Sequence, residues 1–296
     1  MSQSVLPPAE LQSRATDRVP ARREGLRQVL AGASAAVGSH WPEFLMEAGE
    51  LGFFMVSACF FTAILEHPAS PVRSWLPVPL LRRFLTGLAM GGTLLLLIHS
   101  RWGKQSGAHM NPAFSLMYLR LGKMAAWDAL FYIAFQFLGG IAGVLVSFLV
   151  LGKALAHGSV DFATTQPGMW GVAAAFMGEL VITFCLATTV LFVSNSRALA
   201  KLTPFFAASL VAAYITLEAP FSGMSMNPAR TLGSALPAHA FHAIWIYFVA
   251  PPLAMLAAAE LYLWARSSRA VYCAKLHHHN DTRCIFRCRY AEWKGI

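Results

Sequence analysis

The sequence predicts an all-α membrane protein, with six transmembrane helices plus two re-entrant half-helices arranged as an inverted 3+3 repeat. Three observations point there. Six apolar stretches are long enough to cross a bilayer, two short segments open on the same Asn-Pro-Ala triplet, and the basic residues gather on one side of the implied membrane.

Composition sets the class. Of 296 residues, 56% are hydrophobic and 12% charged, about half the charged share of a soluble domain. Such a chain cannot cover its apolar surface with its own polar groups, so lipid must act as solvent. The net charge of +9 sits in the two tails and a few connecting segments, with no zinc-finger, homeodomain or RNA-binding signature beside it. No nucleic-acid partner is expected; a basic cytoplasmic rim on a lipid-embedded chain explains the charge. Met1 to Gly38 is polar and Arg-rich, without the apolar core and cleavage site of a signal peptide.

In chain order, residues 1–42 form a basic cytoplasmic tail whose Arg14, Arg18, Arg22, Arg23 and Arg27 suit anionic headgroups. A membrane domain follows over 43–266, in halves of about 43–153 and 169–266. Its predicted spans are Phe44–Leu65, Leu80–His99, Ala125–Leu151, Trp170–Val193, Leu202–Glu218 and Ala243–Ala265. Gly87 and Gly91, like Gly139 and Gly143, stand four apart and allow close helix approach in lipid. With both tails inside, the inner side collects most of the 23 Lys and Arg, leaving Arg73, Arg82, Arg83, Lys153 and Arg230 outside or in the outer half. An even number of spans satisfies the positive-inside rule.

Two pieces, Asn111–Leu121 and Asn227–Leu236, are too short to span. Each begins Asn-Pro-Ala (Asn111, Pro112, Ala113 and Asn227, Pro228, Ala229). Asparagine is a favoured N-cap, and proline in the first turn removes an N–H that would be unpaired anyway. Each piece therefore reads as a short helix starting abruptly at mid-membrane depth. Ser106 to Ala113 matches Ser222 to Ala229, and each lies between the second and third spans of its half. Three spans per half is odd, so the second half is inverted relative to the first. Glu47 and Glu179 occupy corresponding places early in the first span of each half. A carboxylate inside a membrane faces protein or water, and these two are read as acceptors for the backbone of the re-entrant loops.

The two Asn-Pro-Ala boxes, the Ser-Gly-Ala-His lead-in at Ser106 to His109, and Arg230 directly after the second box resemble the aquaporin and aquaglyceroporin family, from about Phe44 to Ala265. The resemblance implies a passive, non-enzymatic channel for water or other small uncharged solutes, excluding protons and ions. It implies a homotetramer in the cell membrane with both tails cytoplasmic. Asn111 and Asn227 would offer donors to the permeant, and Arg230 would guard the outer mouth. His109 would brace its loop rather than sense pH. The family's constriction, counted without gaps from the boxes, falls at Gly91, Ile215, Met224 and Arg230. That set is apolar and wide, without the aromatic and histidine usual in water-selective members, and suits glycerol, urea, ammonia or peroxide. Thr231, Ala235 and the pair Tyr247 and Phe248 resemble the water branch instead.

Two other classes stand beside this reading. A coupled transporter also uses inverted repeats, but would want an ion-binding carboxylate near the crossing point, whereas Glu47, Glu50 and Glu179 lie early in their spans. A membrane enzyme would draw on His99, His109 and Asp128, which form no recognisable constellation. Cys59 and Cys185 read as small buried hydrophobes. The tail over 267–296 carries Cys273, His277, His278, His279, Cys284 and Cys288. The set Cys273, His277, Cys284 and Cys288 could hold a metal, but the spacing matches no standard finger, and no cofactor or metal is assigned.

Overall fold

The computed structural model describes the backbone of residues 8–294 and the side chains of residues 27–292. The chain divides into two compact units, Met1–Trp41 and Pro42–Ile296. The proposed headgroup contacts of Arg14, Arg18, Arg22 and Arg23 fall on side chains outside the described residues.

Among the described residues twelve α-helices run in order: α1 (Pro8–Glu66), α2 (Pro71–Trp75), α3 (Pro79–His99), α4 (Arg101–Ser106), α5 (Pro112–Arg120), α6 (Ala126–Leu151), α7 (Gly171–Ser194), α8 (Thr203–Leu217), α9 (Ala219–Ser222), α10 (Pro228–Ala238), α11 (Trp245–Arg266) and α12 (Tyr290–Lys294). No strand occurs among the described residues. Six helical stretches are long and apolar enough to cross a bilayer: Arg27–Glu66, Pro79–His99, Ala126–Ala154, Gly171–Ser194, Ala200–Leu217 and Trp245–Arg266. They coincide with the six predicted spans, and the protein is a multi-pass membrane protein of all-α fold. Its outward faces are apolar, with Leu149 84% and Trp264 86% exposed. The buried set, in contrast, includes Glu43, Glu47, Glu50, Gln136 and Glu179. That inside-out distribution is what lipid as solvent requires.

The half-helices α5 and α10 form as the Asn-Pro chemistry dictates. Asn111 Oδ1 accepts from Ala113 N at 2.9 Å, and Asn227 Oδ1 from Ala229 N at 3.0 Å and Arg230 N at 3.2 Å. Both asparagines are extended and both prolines open their helices. Just past α5, left-handed Gly122 (φ 71°) lets Lys123 N reach back to Tyr118 O at 2.9 Å.

Small residues set the seams between spans. A Cβ on Gly139 would meet Ala48 O at 2.1 Å, so α6 and α1 touch backbone to backbone. A Cβ on Gly87 would meet Ala212 O at 2.4 Å, and one on Gly91 would meet Ala208 O at 2.7 Å, which fixes α3 against α8. The halves interlock: α10 packs on α6 and α5 on α11, so each half-helix lies against the last span of the other half.

One helix, α4, is absent from the sequence reading. Ser100 Oγ caps it by accepting from Gly103 N at 3.0 Å, and left-handed Gly107 (φ 100°) ends it.

Candidate functional site: the central cavity

A cavity of about 380 Å³ runs between the spans. Asn111 and Asn227 line it, and the loops leading to them, Ala108 to Met110 and Gly223 to Met226, form part of its wall.

Each loop hangs on one glutamate. Glu47 accepts from His109 N at 2.8 Å and Met110 N at 2.6 Å. Glu179 accepts from Ser225 N at 2.6 Å and Met226 N at 2.7 Å. A peptide unit is planar with its N–H and C=O opposed. The carbonyls of Ala108 and His109, and of Met224 and Ser225, therefore point away from the glutamates, and all four residues line the cavity. Ala108, Met110, Met224 and Met226 hold positive φ of 57°, 49°, 54° and 56°. Such backbone is unfavourable for side-chain-bearing residues and persists where its surroundings over-determine it.

The asparagines cross. Asn111 Nδ2 donates to Met226 O, and Asn227 Nδ2 donates to Met110 O, both at 2.7 Å. Each amide thus caps its own half-helix through Oδ1 and ties the opposite loop with one N–H. A side-chain amide has two N–H donors, so one remains for a molecule in the cavity. Two helix N-termini, each with roughly half a positive charge from its aligned peptide dipoles, meet at this point.

His109 is engaged at both ring nitrogens. Nε2 lies 2.9 Å from Ala274 O and must donate, since a carbonyl only accepts; Nδ1 then accepts from Ser115 Oγ at 3.2 Å. Of the constriction residues expected from the sequence, Ile215, Met224 and Arg230 line the cavity. Gly91 does not: it is buried in the α3–α8 seam. The residues that α3 turns to the cavity are Arg83, Thr86, Met90 and Leu94. Gly87 packs against Ala212 and Thr216, so Thr86 is the α3 residue level with Ile215. The gap-free count therefore lands on the face of α3 that packs against α8.

Sequence reasoning missed a second tier of support. Tyr132 OH donates to Ser106 O at 2.7 Å, and Tyr247 OH to Ser222 O at 2.5 Å. Ser106 Oγ lies 3.1 Å from Glu50, and Ser222 Oγ 2.9 Å from Glu218. Gln136 Nε2 donates to Glu47 at 2.7 Å. The serines were visible as matching positions of the repeated octet; the tyrosines stand at matching places in the last span of each half. His99 and Asp128, the remaining residues of the enzyme reading, are not among those lining the cavity.

The family model described as Major intrinsic protein matches residues 52–262. Among curated relatives, the chain is 33% identical over 183 residues to aquaporin NIP2-2 of Zea mays, covering 61% of this chain and 60% of the relative. It is 34% identical over 187 residues to aquaporin TIP4-4 of Zea mays, covering 60% of this chain and 72% of the relative. The chain spans about 60% of the length of the first of these relatives. The X-ray structure of the aquaglyceroporin from Plasmodium falciparum superposes with a TM-score of 0.61 at 21% identity, covering 76% of this chain and 96% of that one. That likeness speaks to the fold.

Proposed function

This chain belongs to the major intrinsic protein family, and from that premise we propose that its cavity is a passive pore for water and other small uncharged solutes, closed to ions and protons. The observation that carries this reading is the crossed pair of asparagine amides at the meeting point of two helix N-termini. A cation or excess proton meets positive potential there from both sides, while a neutral oxygen is offered donors. Because Asn111 and Asn227 bind a permeant through its oxygen lone pairs, a water held between them cannot pass a proton along the file. The carbonyls of Ala108, His109, Met224 and Ser225 supply acceptors on either side.

At the outer end we propose that Thr86, Ile215, Met224 and Arg230 form the constriction. Arg230 repels cations and hydrogen-bonds the permeant. None of these four side chains carries an aromatic ring, which favours passage of glycerol or urea as well as water. A coupled transporter is the less favoured reading, because Glu47 and Glu179 are committed to loop N–H groups rather than to an ion site.

The test is stopped-flow light scattering on proteoliposomes. Osmotic shrinkage faster than in protein-free liposomes, unchanged by ionophores, is the expected result, with glycerol and urea re-swelling also above the protein-free rate. Solute uptake that collapses when ion gradients are dissipated would replace the channel with a transporter. We further propose a homotetramer in the cell membrane with both tails cytoplasmic. Mass photometry of the solubilised protein reads the first, and protease accessibility in sealed vesicles reads the second.

A further inference from the structure

After α11 the chain turns back onto the first re-entrant loop. Leu276 N donates to Gly107 O at 3.1 Å, and Arg287 N to Lys123 O at 2.9 Å. Thr282 Oγ1 donates to Lys104 O at 2.7 Å. The Phe286 ring stacks on His109 with centroids 5.4 Å apart, on the same imidazole that donates to Ala274 O. Leu276 lines the inner end of the cavity, where Leu94, Leu186 and Ala207 also lie. Gly107 O is the carbonyl next in line after those of Ala108 and His109, so the tail occupies the innermost acceptor of that row.

From Val271 to Arg289 this docked segment has neither helix nor strand, so its own backbone bonds do not explain its fold. A side-chain cluster does. Cys273 Sγ, Cys284 Sγ, Cys288 Sγ and a ring nitrogen of His278 all lie within 4.8 Å of one another. Cys273 and Cys284 are separated by 3.5 Å between sulfurs, and Cys288 Sγ is 3.0 Å from His278 Nε2. The sulfurs are far beyond a disulfide length of about 2.05 Å. They are near the edge of about 3.8 Å that a tetrahedron has when its metal–sulfur bonds are about 2.3 Å. His277, the histidine favoured from spacing, faces elsewhere and packs its ring on His99 at 4.8 Å.

We propose that Cys273, His278, Cys284 and Cys288 hold one zinc ion, which knots the tail into a plug seated on the inner mouth of the cavity. Three soft sulfurs and one imidazole in tetrahedral reach are a zinc set, and four protein ligands leave no position for substrate, so the site is structural. On binding, three thiols release three protons to solvent, and the Zn²⁺ with three thiolates carries one net negative charge. Lys275, buried two residues after Cys273 and donating from its ammonium to Arg283 O at 2.7 Å beside Cys284, sets one positive charge next to the cluster to balance it. The metal site stands on the tail alone; the plug rests on the pore reading above.

The test begins with the full-length protein, purified under reducing conditions. Elemental analysis should find one zinc per chain, and cobalt should replace it with thiolate charge-transfer and tetrahedral ligand-field absorption. Cys284→Ser should lose the metal. Absence of stoichiometric metal and of the cobalt spectrum, or a Cys273–Cys284 disulfide in the peptide map of the cellular protein, overturns the site. For the plug, a membrane-permeant zinc chelator and, separately, Leu276→Gly, which spares all four ligands, should each raise osmotic water permeability severalfold. Bound metal with permeability unmoved by both treatments overturns the plug and leaves the zinc site standing. Flux no higher than protein-free liposomes in the Leu276→Gly protein instead sinks the pore reading itself.

Discussion

The two re-entrant loops are built alike on the side facing the helices and differently on the side facing away from them. Each is hung on a glutamate of the first span in its half, tied by a tyrosine of the third span and capped by an asparagine that crosses to the other loop. Their covers share nothing. The second loop is backed by the segment joining the halves, where Thr165 Oγ1 meets Thr231 Oγ1 at 2.8 Å and Thr231 meets Ser225 at 2.6 Å. The first is backed by the tail, through Ala274, Leu276 and Phe286. The difference teaches that the repeat specifies the cavity, while non-repeated segments decide what each mouth is like.

The largest effect expected from this comparison comes from removing a hanging carboxylate. Glu47→Ala strands the backbone donors of His109 and Met110, and Glu179→Ala strands those of Ser225 and Met226, while Gln136 Nε2 keeps Ser115 Oγ and the Ser222 hydroxyl keeps Glu218. At about 1–3 kcal/mol per stranded buried group, each change should destabilise by about 2–6 kcal/mol. Thermal unfolding in detergent should show both variants falling together; a large loss for only one would mean the loops are not equivalently supported.

Next come the two α3 positions that compete for the constriction. Gly91→Phe would drive a ring into Ala208 of α8 and should destabilise by more than about 3 kcal/mol, since the seam is backbone on backbone. Thr86→Phe should leave the unfolding midpoint nearly unchanged and suppress glycerol re-swelling before water flux. If Gly91→Phe instead folds normally and blocks glycerol, the register assigned to α3 is wrong.

Asn111→Ala and Asn227→Ala each remove one cap and one crossing hydrogen bond. The expected loss is about 1–2 kcal/mol apiece, equal for the two loops, with raised proton leak read by an entrapped pH dye. Unequal leak would break the mirror at the point where it is closest. The smallest effect is Thr165→Val, which deletes a single buried hydroxyl contact and should cost about 1 kcal/mol while leaving Thr231 bonded to Ser225. Hydrogen exchange in that variant should quicken at the second loop only.

Much of this molecule was legible in its residues. The spans, the mirrored halves and both half-helices follow from hydropathy and from Asn-Pro capping, which act over a few neighbouring residues. Glu47 and Glu179 were readable because a carboxylate in lipid must find donors. Tyr132, Gln136, Glu50 and Glu218 were not, because their partners lie in other helices, and nothing local distinguishes a tyrosine that reaches a loop carbonyl from one that faces lipid. Gly91 was misplaced because a count along the chain carries no information on which face of α3 turns to the cavity.

By itself the sequence determined that this chain lives in a membrane, that it repeats with inversion, and that two proline-opened helices begin at mid-depth. Each of those is set by short-range chemistry or by average polarity. Only the tertiary structure decided which face of α3 lines the cavity, that His278 and not His277 joins the three cysteines, and that the tail brings Leu276 to the cavity wall. These depend on where side chains distant in the chain come to lie, and a slip of one helical residue, about 100°, is enough to redirect them.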